Sequence, residues 1–472
     1  MIFRIAQKEI LETVRDGRFR TMAVTVVGLL TISLILGWKS YSDVNRQHET
    51  GRRATRQNWI SQGVKNPHSA AHYGVYAFKP RTSLSFIDTG TDPYTGVAVW
   101  LEAHKQDDFK YKPAQDASTL SRFGELTAAT ILQILIPLLI ILLSFSAFAG
   151  EREGGTLKQL LSLGVKKNDL ALGKALGISA ALGAVLIPAA LLGAALLVGF
   201  GEPGAFLDTA DRILLLACLY LLYFVVFLGL SLAVSASARS GRMALLLLLT
   251  FWIVNSLIAP RAVSDVARRM YPTPSAFTFT ETLEHDLASG VSGNSSAEKR
   301  AAELRRRVMA QYGVEDIKKL PISFLGISLQ QGEEDGDKVF DLRYGELWNL
   351  FERQNRMRQA SSVFAPMLAM RSLSMALAGT DFEQHRQFAT AAERYRRFFI
   401  KKINDDITTH ATSREVYTRG NDLWQSIPEF RYTAPGLGFA LNQQKLPIVL
   451  LGCWALAAIL AAYWTTRRME AL

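Results

Sequence analysis

Six apolar runs, at about 19–38, 126–149, 176–200, 212–236, 243–259 and 446–464, constrain this chain more than any other feature. About 20 helical residues cross the roughly 30 Å hydrocarbon layer of a bilayer, so each run reads as a membrane span. A lone run buried in lipid satisfies its backbone only as a helix. Apolar residues make up 49% of the chain. Their concentration in blocks, rather than at amphipathic spacing, marks a mainly α-helical membrane protein.

The first run follows Arg15, Arg18 and Arg20, as the apolar part of a signal peptide would. No A-x-A site follows Trp38, and the leading residues 1–18 are long and helical, so the run reads instead as a retained first span. In that leader Ile2, Phe3, Ile5, Ala6, Ile10, Leu11 and Val14 recur at helical spacing among Lys8, Glu9, Glu12 and Arg15. Such a helix is expected to lie along the cytoplasmic membrane surface.

Charge then sets the orientation. With the amino end inside, the leader, the 150–174 connector (Lys158, Lys166, Lys167, Lys174), the turn Ser237–Arg242 and the 465–472 tail (Arg467, Arg468) are all cytoplasmic and all basic. The turn Gly201–Ala210 on the other side carries Glu202 and Asp208 and no base. This is the positive-inside pattern. It leaves two extracytoplasmic domains, a small mixed α/β one at 39–122 and a mostly helical one at 260–445. The first has strand-like runs at Tyr73–Phe78 and Gly96–Leu101; in the second, helices are expected at 297–312, 345–378 and 381–409, with an acidic loop at Gly332–Asp337.

Several classes of function drop out. The net charge of +11 sits beside the apolar runs without interleaved aromatics, which argues against nucleic-acid binding. Cys218 and Cys453 lie inside apolar runs, so neither a disulfide framework nor a cysteine metal site is available. No G-x-x-x-x-G-K-[ST] phosphate cradle exists; Gly173-Lys174-Ala175 lacks both the upstream glycine and the hydroxyl. The chain is therefore not expected to be an enzyme that hydrolyses nucleotide, nor to hold a cofactor of its own.

The connector reads Glu151-Arg152-Glu153-Gly154-Gly155-Thr156-Leu157-Lys158 and continues into Leu160, Leu161 and Leu163. It is either an ordinary basic loop or a charged, apolar knob offered to a cytoplasmic partner. Glutamates closing the second span, Gly-Thr-Leu, a Leu-Leu-Ser turn, basic residues and a Gly-Lys opening the third span resemble the connector of ABC-2-type transporter permeases. The leader and the six-span layout are similar too. Asn66-Pro67-His68-Ser69-Ala70-Ala71-His72-Tyr73-Gly74, Tyr94-Thr95-Gly96, Leu101-Glu102-Ala103-His104 and Ala378-Gly379-Thr380-Asp381 resemble a subgroup with a large extracytoplasmic insertion of unassigned function.

That resemblance implies a multi-pass permease of the bacterial inner membrane, exporter-like, working with a second copy or a similar permease. ATP and Mg would be bound by a separate ABC ATPase subunit, with Glu151, Glu153, Gly155, Thr156, Leu157 and Lys158 transmitting its motion. An alternative is an ATP-driven machine that rearranges the envelope without moving solute.

Three further groups invite a role. His68 and His72 share a helix face, and His104 can approach from the same module; the trio either hydrogen-bonds structurally or binds a metal or ligand, giving a membrane-anchored metal-binding protein as another reading. The H-E-x-x-H peptidase pattern fails at Ser69. Gln133 and Asn255 are the most polar intramembrane groups and either bond a neighbouring helix or line a pathway, while Pro137 and Pro188 interrupt backbone bonding. Gly173, Gly177, Gly183, Ala190 and Ala194 make a close-packing stripe on span three, for the bundle or a dimer seam. Arg305–Arg307, Arg394, Arg396, Arg397, Lys401 and Lys402 form either a salt-bridged face or an attractor for anionic cargo and membrane lipid.

Overall fold

The computed structural model describes residues 1–112, 114, 126–200, 207, 209–291, 296–411 and 416–470. Glu202 and Asp208, and the 115–122 end of the first polar segment, lie outside the described residues. A leader helix, α1 (Ile2–Arg15), precedes the first of the six helices that, among the described residues, are long and apolar enough to cross a membrane. These are α2 (Gly17–Ile60), α4 (Ala128–Glu153), α6 (Lys167–Phe200), α7 (Ala210–Ser237), α8 (Gly241–Met270) and α16 (Lys445–Arg468). Each takes up one of the six apolar runs, the second from Ala128 onward.

Two of them carry a wide π turn, at Ile131–Leu135 in α4 and Val254–Ile258 in α8. A proline follows closely in each case, Pro137 and Pro260. Proline has no N–H to give the carbonyl four residues earlier, so that carbonyl must find another donor. For Gln133 the donor is the Tyr223 hydroxyl of α7, at 3.0 Å.

The leader packs on the start of α6, where Gly173 and Gly177 admit it. A Cβ at Gly177 would sit 2.5 Å from the Glu9 Cβ and 2.9 Å from the Ala6 carbonyl oxygen. Part of the small-residue stripe on span three is thus a seat for α1. Phe3, Leu11 and Val14 remain exposed on the outer side of the leader. Gly177→Val should lift α1 at a cost of about 1–3 kcal/mol; limited trypsin digestion, comparing cleavage after Lys8 and Arg15 with the parent chain, reads that loss directly.

Helix α2 does not stop at the end of its apolar run. It continues to Ile60, a rod of 44 residues and about 66 Å, and buries Trp59 against Phe399 and Trp424, each ring 5.8 Å away. Beyond it come α3 (Pro67–Tyr73) and an antiparallel meander of β1 (Val75–Phe78), β2 (Ala98–Glu102) and β3 (Lys105–Gln106). Val75 pairs with Leu101 and Ala77 with Val99, which turns the four apolar side chains to one buried face. That face packs on Phe388, Ala392, Phe399 and Ile403 of α13 (Phe382–His410). The expectation of two separate outer domains is corrected here: both polar segments share one core, because neither the small sheet nor α13 alone can cover its apolar face. We call this body the lobe. Its other helices are α9 (Ala276–Ser289), α10 (Ala297–Tyr312), α11 (Phe324–Ala360) and α14 (Asn421–Ser426), with α15 (Leu437–Gln443) leading into α16.

Two further expectations change. Gly332–Asp337 is not a loop but the middle of α11, with Glu333 buried. The helix expected at 345–378 breaks after Ala360: the residue before Pro366, Ala365, is held extended, and α12 (Pro366–Ala378) starts afresh. Met367, Ala369, Met370, Leu373 and Leu377 of α12 are buried in the same core as the spans, so α12 dips back into the bundle against α7 and α16.

Candidate functional site

The connector residues grip different helices. Glu151 of α4 lies 3.2 Å from the Lys174 Nζ of α6, which is 3.0 Å from Glu9 of α1. Lys174 is only 3% exposed, so its charge is answered by these carboxylates rather than by water. Arg152 donates to the carbonyls of Ala236 (2.7 Å) and Ala238 at the end of α7, where a helix leaves carbonyls without partners and favours a cation. Glu153 accepts from the Gly241 N–H at the start of α8, 3.2 Å away, the complementary arrangement at a helix amino end. Lys167 holds the Met469 carbonyl after α16, at 2.6 Å.

Gly155 then turns the chain with φ +74°, a left-handed conformation that glycine adopts without strain. The short helix α5 (Thr156–Ser162) follows. Its Leu157 is fully buried and anchors it, whereas Lys158, Gln159 and Leu163 face outward, Leu163 79% exposed. Of the predicted coupling residues, Glu151 and Leu157 thus point into the bundle, the exposed Glu153 reaches the start of α8 and Lys158 points away; Thr156 bonds back to Glu151.

At the opposite end of the bundle, Gln133 and Asn255 both serve α12. Gln133 Nε2 donates to the Tyr220 hydroxyl (3.1 Å), which lies 3.0 Å from Ser374 Oγ, which donates to Asp88 Oδ2 (2.5 Å). Each hydroxyl gives one proton onward, so the chain of donors runs from α4 through α7 and α12 to the loop before β2. Burial pushes the Asp88 carboxyl above its usual value despite bonds from Ser374 and Gly90. Asn255 Oδ1 accepts from the Met367 N–H at 3.1 Å, capping α12 from the π turn of α8. These are the helix-to-helix bonds of the first reading for both residues.

In the lobe, His68, His72 and His104 come together, with ligand nitrogens all within 4.8 Å of one another. Burial and the two neighbouring imidazoles hold His68 below the usual histidine range. The backbone N–H of His104 donates to Glu333 Oε1 at 2.8 Å, and its Nδ1 lies 2.7 Å from the same oxygen. Burial raises the Glu333 carboxyl, but His104 and Arg396 outweigh it and the group is held low. Arg396, wholly buried, also meets Asp337 (2.5 Å) and Glu393 (2.8 Å). Arg397 pairs with Asp341 (2.6 Å) and Lys401 with Asp405 (2.9 Å), so this part of the basic run is a salt-bridged face. A cavity of about 910 Å³ opens beside α2, with Arg52, Arg56, Arg81, Tyr76 and Tyr395 in its wall; Arg52 is pinned there by Glu49 and Glu429.

Residues 96–255 match the family model described as ABC-2 family transporter protein. This third of the chain is thus similar to ABC-2 transporter proteins. Residues 276–433 of the permease match a second model, described as a domain of unknown function (DUF3526). No curated protein matches the chain. The first match runs from the sheet through α4, the connector, α6 and α7 into α8, ending at Asn255; the second holds most of the lobe, including Arg396 and α12. The first match and the six apolar helices together support a membrane subunit of a transporter.

Sequence reasoning about the permease missed Glu9, Arg152 and Ser374 as site residues. A lone lysine just before an apolar run, in Gly173-Lys174-Ala175-Leu176, was the available signal for the Glu9 contact. Ser374 gave none, because nothing local distinguishes α12 from an ordinary lobe helix.

Proposed function

We propose that the chain is the permease of an ABC exporter driven by a separate ATPase subunit, which docks on the α1–connector face around Lys158, Gln159 and Leu163. The observation that carries this is the three-way grip of Glu151, Arg152 and Glu153 on α6, α7 and α8. A push on α5 reaches three spans and the leader at once, through charged groups rather than a flexible loop. Gly155 and Thr156 set the angle at which α5 meets the push.

The leader, the connector, the 237–242 turn and the chain end after α16 lie at one end of the bundle and carry its basic residues, which supports a cytoplasmic face there and an outer, periplasmic lobe in a bacterial inner membrane. The ATPase partner holds ATP and Mg. A second copy or a similar permease completes the translocation path. The 44-residue α2, running unbroken from the cytoplasmic face to Trp59 in the lobe, favours a second reading, in which the stroke moves the lobe and rearranges an envelope component without solute crossing.

The test is co-reconstitution with the candidate ATPase in liposomes. Lys158→Glu with Leu163→Asp changes only exposed side chains and should lower permease-stimulated ATP hydrolysis at least tenfold while the permease stays folded. Unchanged hydrolysis would falsify the docking face. Accumulation of cargo inside inverted vesicles separates the exporter from the mechanical reading.

A further inference from the structure

The His68–His72–His104 cluster has geometry that structural hydrogen bonding does not require. Asn66 caps α3 through its side chain, 2.9 Å from the His68 N–H, and Pro67 opens the helix, so His68 and His72 stand one turn apart with their Nε2 atoms 3.2 Å from each other. Zinc holds imidazole nitrogens at about 2.0–2.1 Å, so two such ligands on one tetrahedral ion are about 3.3 Å apart. That spacing is already present. Bringing all three nitrogens to it from a spread of 4.8 Å takes a movement of about 1.5 Å, within reach of a turn of the exposed His104 ring.

His104 is the more telling residue. It sits in the β2–β3 turn with φ +64°, a left-handed conformation uncommon for any residue but glycine. Glu333 holds it there through both its backbone N–H and its Nδ1. With Nδ1–H given to a carboxylate, Nε2 keeps its lone pair free, the outer-shell arrangement that orients a metal-binding histidine and strengthens it as a donor. Glu333 is in turn fixed by Arg396 Nη1 at 2.9 Å. His72 and His104 are exposed and His68 half-buried, so an ion has access from solvent.

We propose that His68, His72 and His104 form a three-imidazole site for a divalent zinc or copper ion, with the fourth position open to water. Neutral imidazole suits both ions. Binding ties α3 to the β2–β3 turn and, through Glu333, to α11, so the ion clips together the two polar segments of the lobe. The site stands independently of the ATPase-driven reading, since it needs neither the connector nor a partner.

The tag-free full-length chain in detergent, stripped with chelator, is titrated with Co²⁺ and then Zn²⁺, with bound metal counted by mass spectrometry. One Co²⁺ per chain, with the visible absorption of four-coordinate cobalt abolished by Zn²⁺, is expected. His72→Asn and His104→Ala should each weaken Zn²⁺ binding at least tenfold, and Glu333→Gln by about 10–100-fold through its hold on His104. The His72 side chain is exposed, so His72→Asn should melt as the metal-free parent does and keep the comparison clean. Absence of stoichiometric metal, or His72→Asn binding Zn²⁺ as the parent does, overturns the site.

Discussion

Arg396→Met is expected to destabilise the lobe by about 3–5 kcal/mol, the usual cost of removing one partner from a buried ion cluster. Arg396 has no exposed surface and lies against Glu333, Asp337 and Glu393, so its loss leaves three carboxylates on α11 and α13 answered in part by the half-exposed Arg397 and by His104. A cation of similar reach, Arg396→Lys, cannot fork between them and should recover only part of the loss. The effect carries a pH signature. Burial already raises Asp337 to about 6 even with Arg396 in place, and without the cation Asp337 rises further while Glu333 loses part of what holds it low. Above the raised Asp337 value its ionisation then opposes folding, while below it the group takes a proton and the repulsion fades. The penalty of Arg396→Met should therefore be largest near pH 8 and smaller near pH 5. Hydrogen exchange at α13 amides, measured at both values, follows the lobe separately from the spans. Equal losses at the two pH values would count against the cluster as the cause.

Lys174→Met is expected to release both the leader and the connector, again at about 3–5 kcal/mol. Lys174 meets Glu9 at 3.0 Å and Glu151 at 3.2 Å, and methionine leaves those two carboxylates confronting each other, with the more distant Lys8 at 3.7 Å from Glu151. In trypsin digestion the leader should become cleavable after Lys8 and Arg15, and the connector after Lys158. Glu9→Gln combined with Lys174→Met should be milder than Lys174→Met alone, since one of the stranded charges is gone. If both variants resist trypsin as the parent does, the ion cluster does not hold this face together.

The grip at Lys174 was partly legible. The basic residues of the connector gave an expected side by the charge rule, and the glutamates, the glycines and Leu157 marked the stretch as more than a loop. What could not be read was where each charge would end. Arg152 reaches carbonyls 84 and 86 residues away at the end of α7, and those carbonyls exist as free acceptors only because a helix terminates there. Gln133 and Pro137 were legible as a polar and a broken place in one span. Their connection to Ser374 depends on α12 entering the bundle, and an apolar 13-residue helix reads the same whether it covers a lobe or fills a membrane core. The acidic stretch at 332–337 was misread for a related reason. Its charges look solvated in sequence, whereas their neutralising cation lies about 60 residues on, at Arg396.

The sequence by itself determined the six apolar helices, the basic pattern of the segments between them, the connector, and the resemblance to ABC-2 permeases that residues 96–255 bear out. Those features follow from local quantities: the length of an apolar run against the bilayer, the placement of Lys and Arg, and the absence of a phosphate cradle. Only the tertiary structure decided that the two polar segments form one lobe, that α2 carries the first span unbroken into it, that α12 returns to the bundle, and that three histidines and a buried carboxylate converge. Each of these pairs groups far apart in the chain, and burial, not local pattern, selects such partners: a charge or an apolar face removed from water must be met by whatever the fold brings to it.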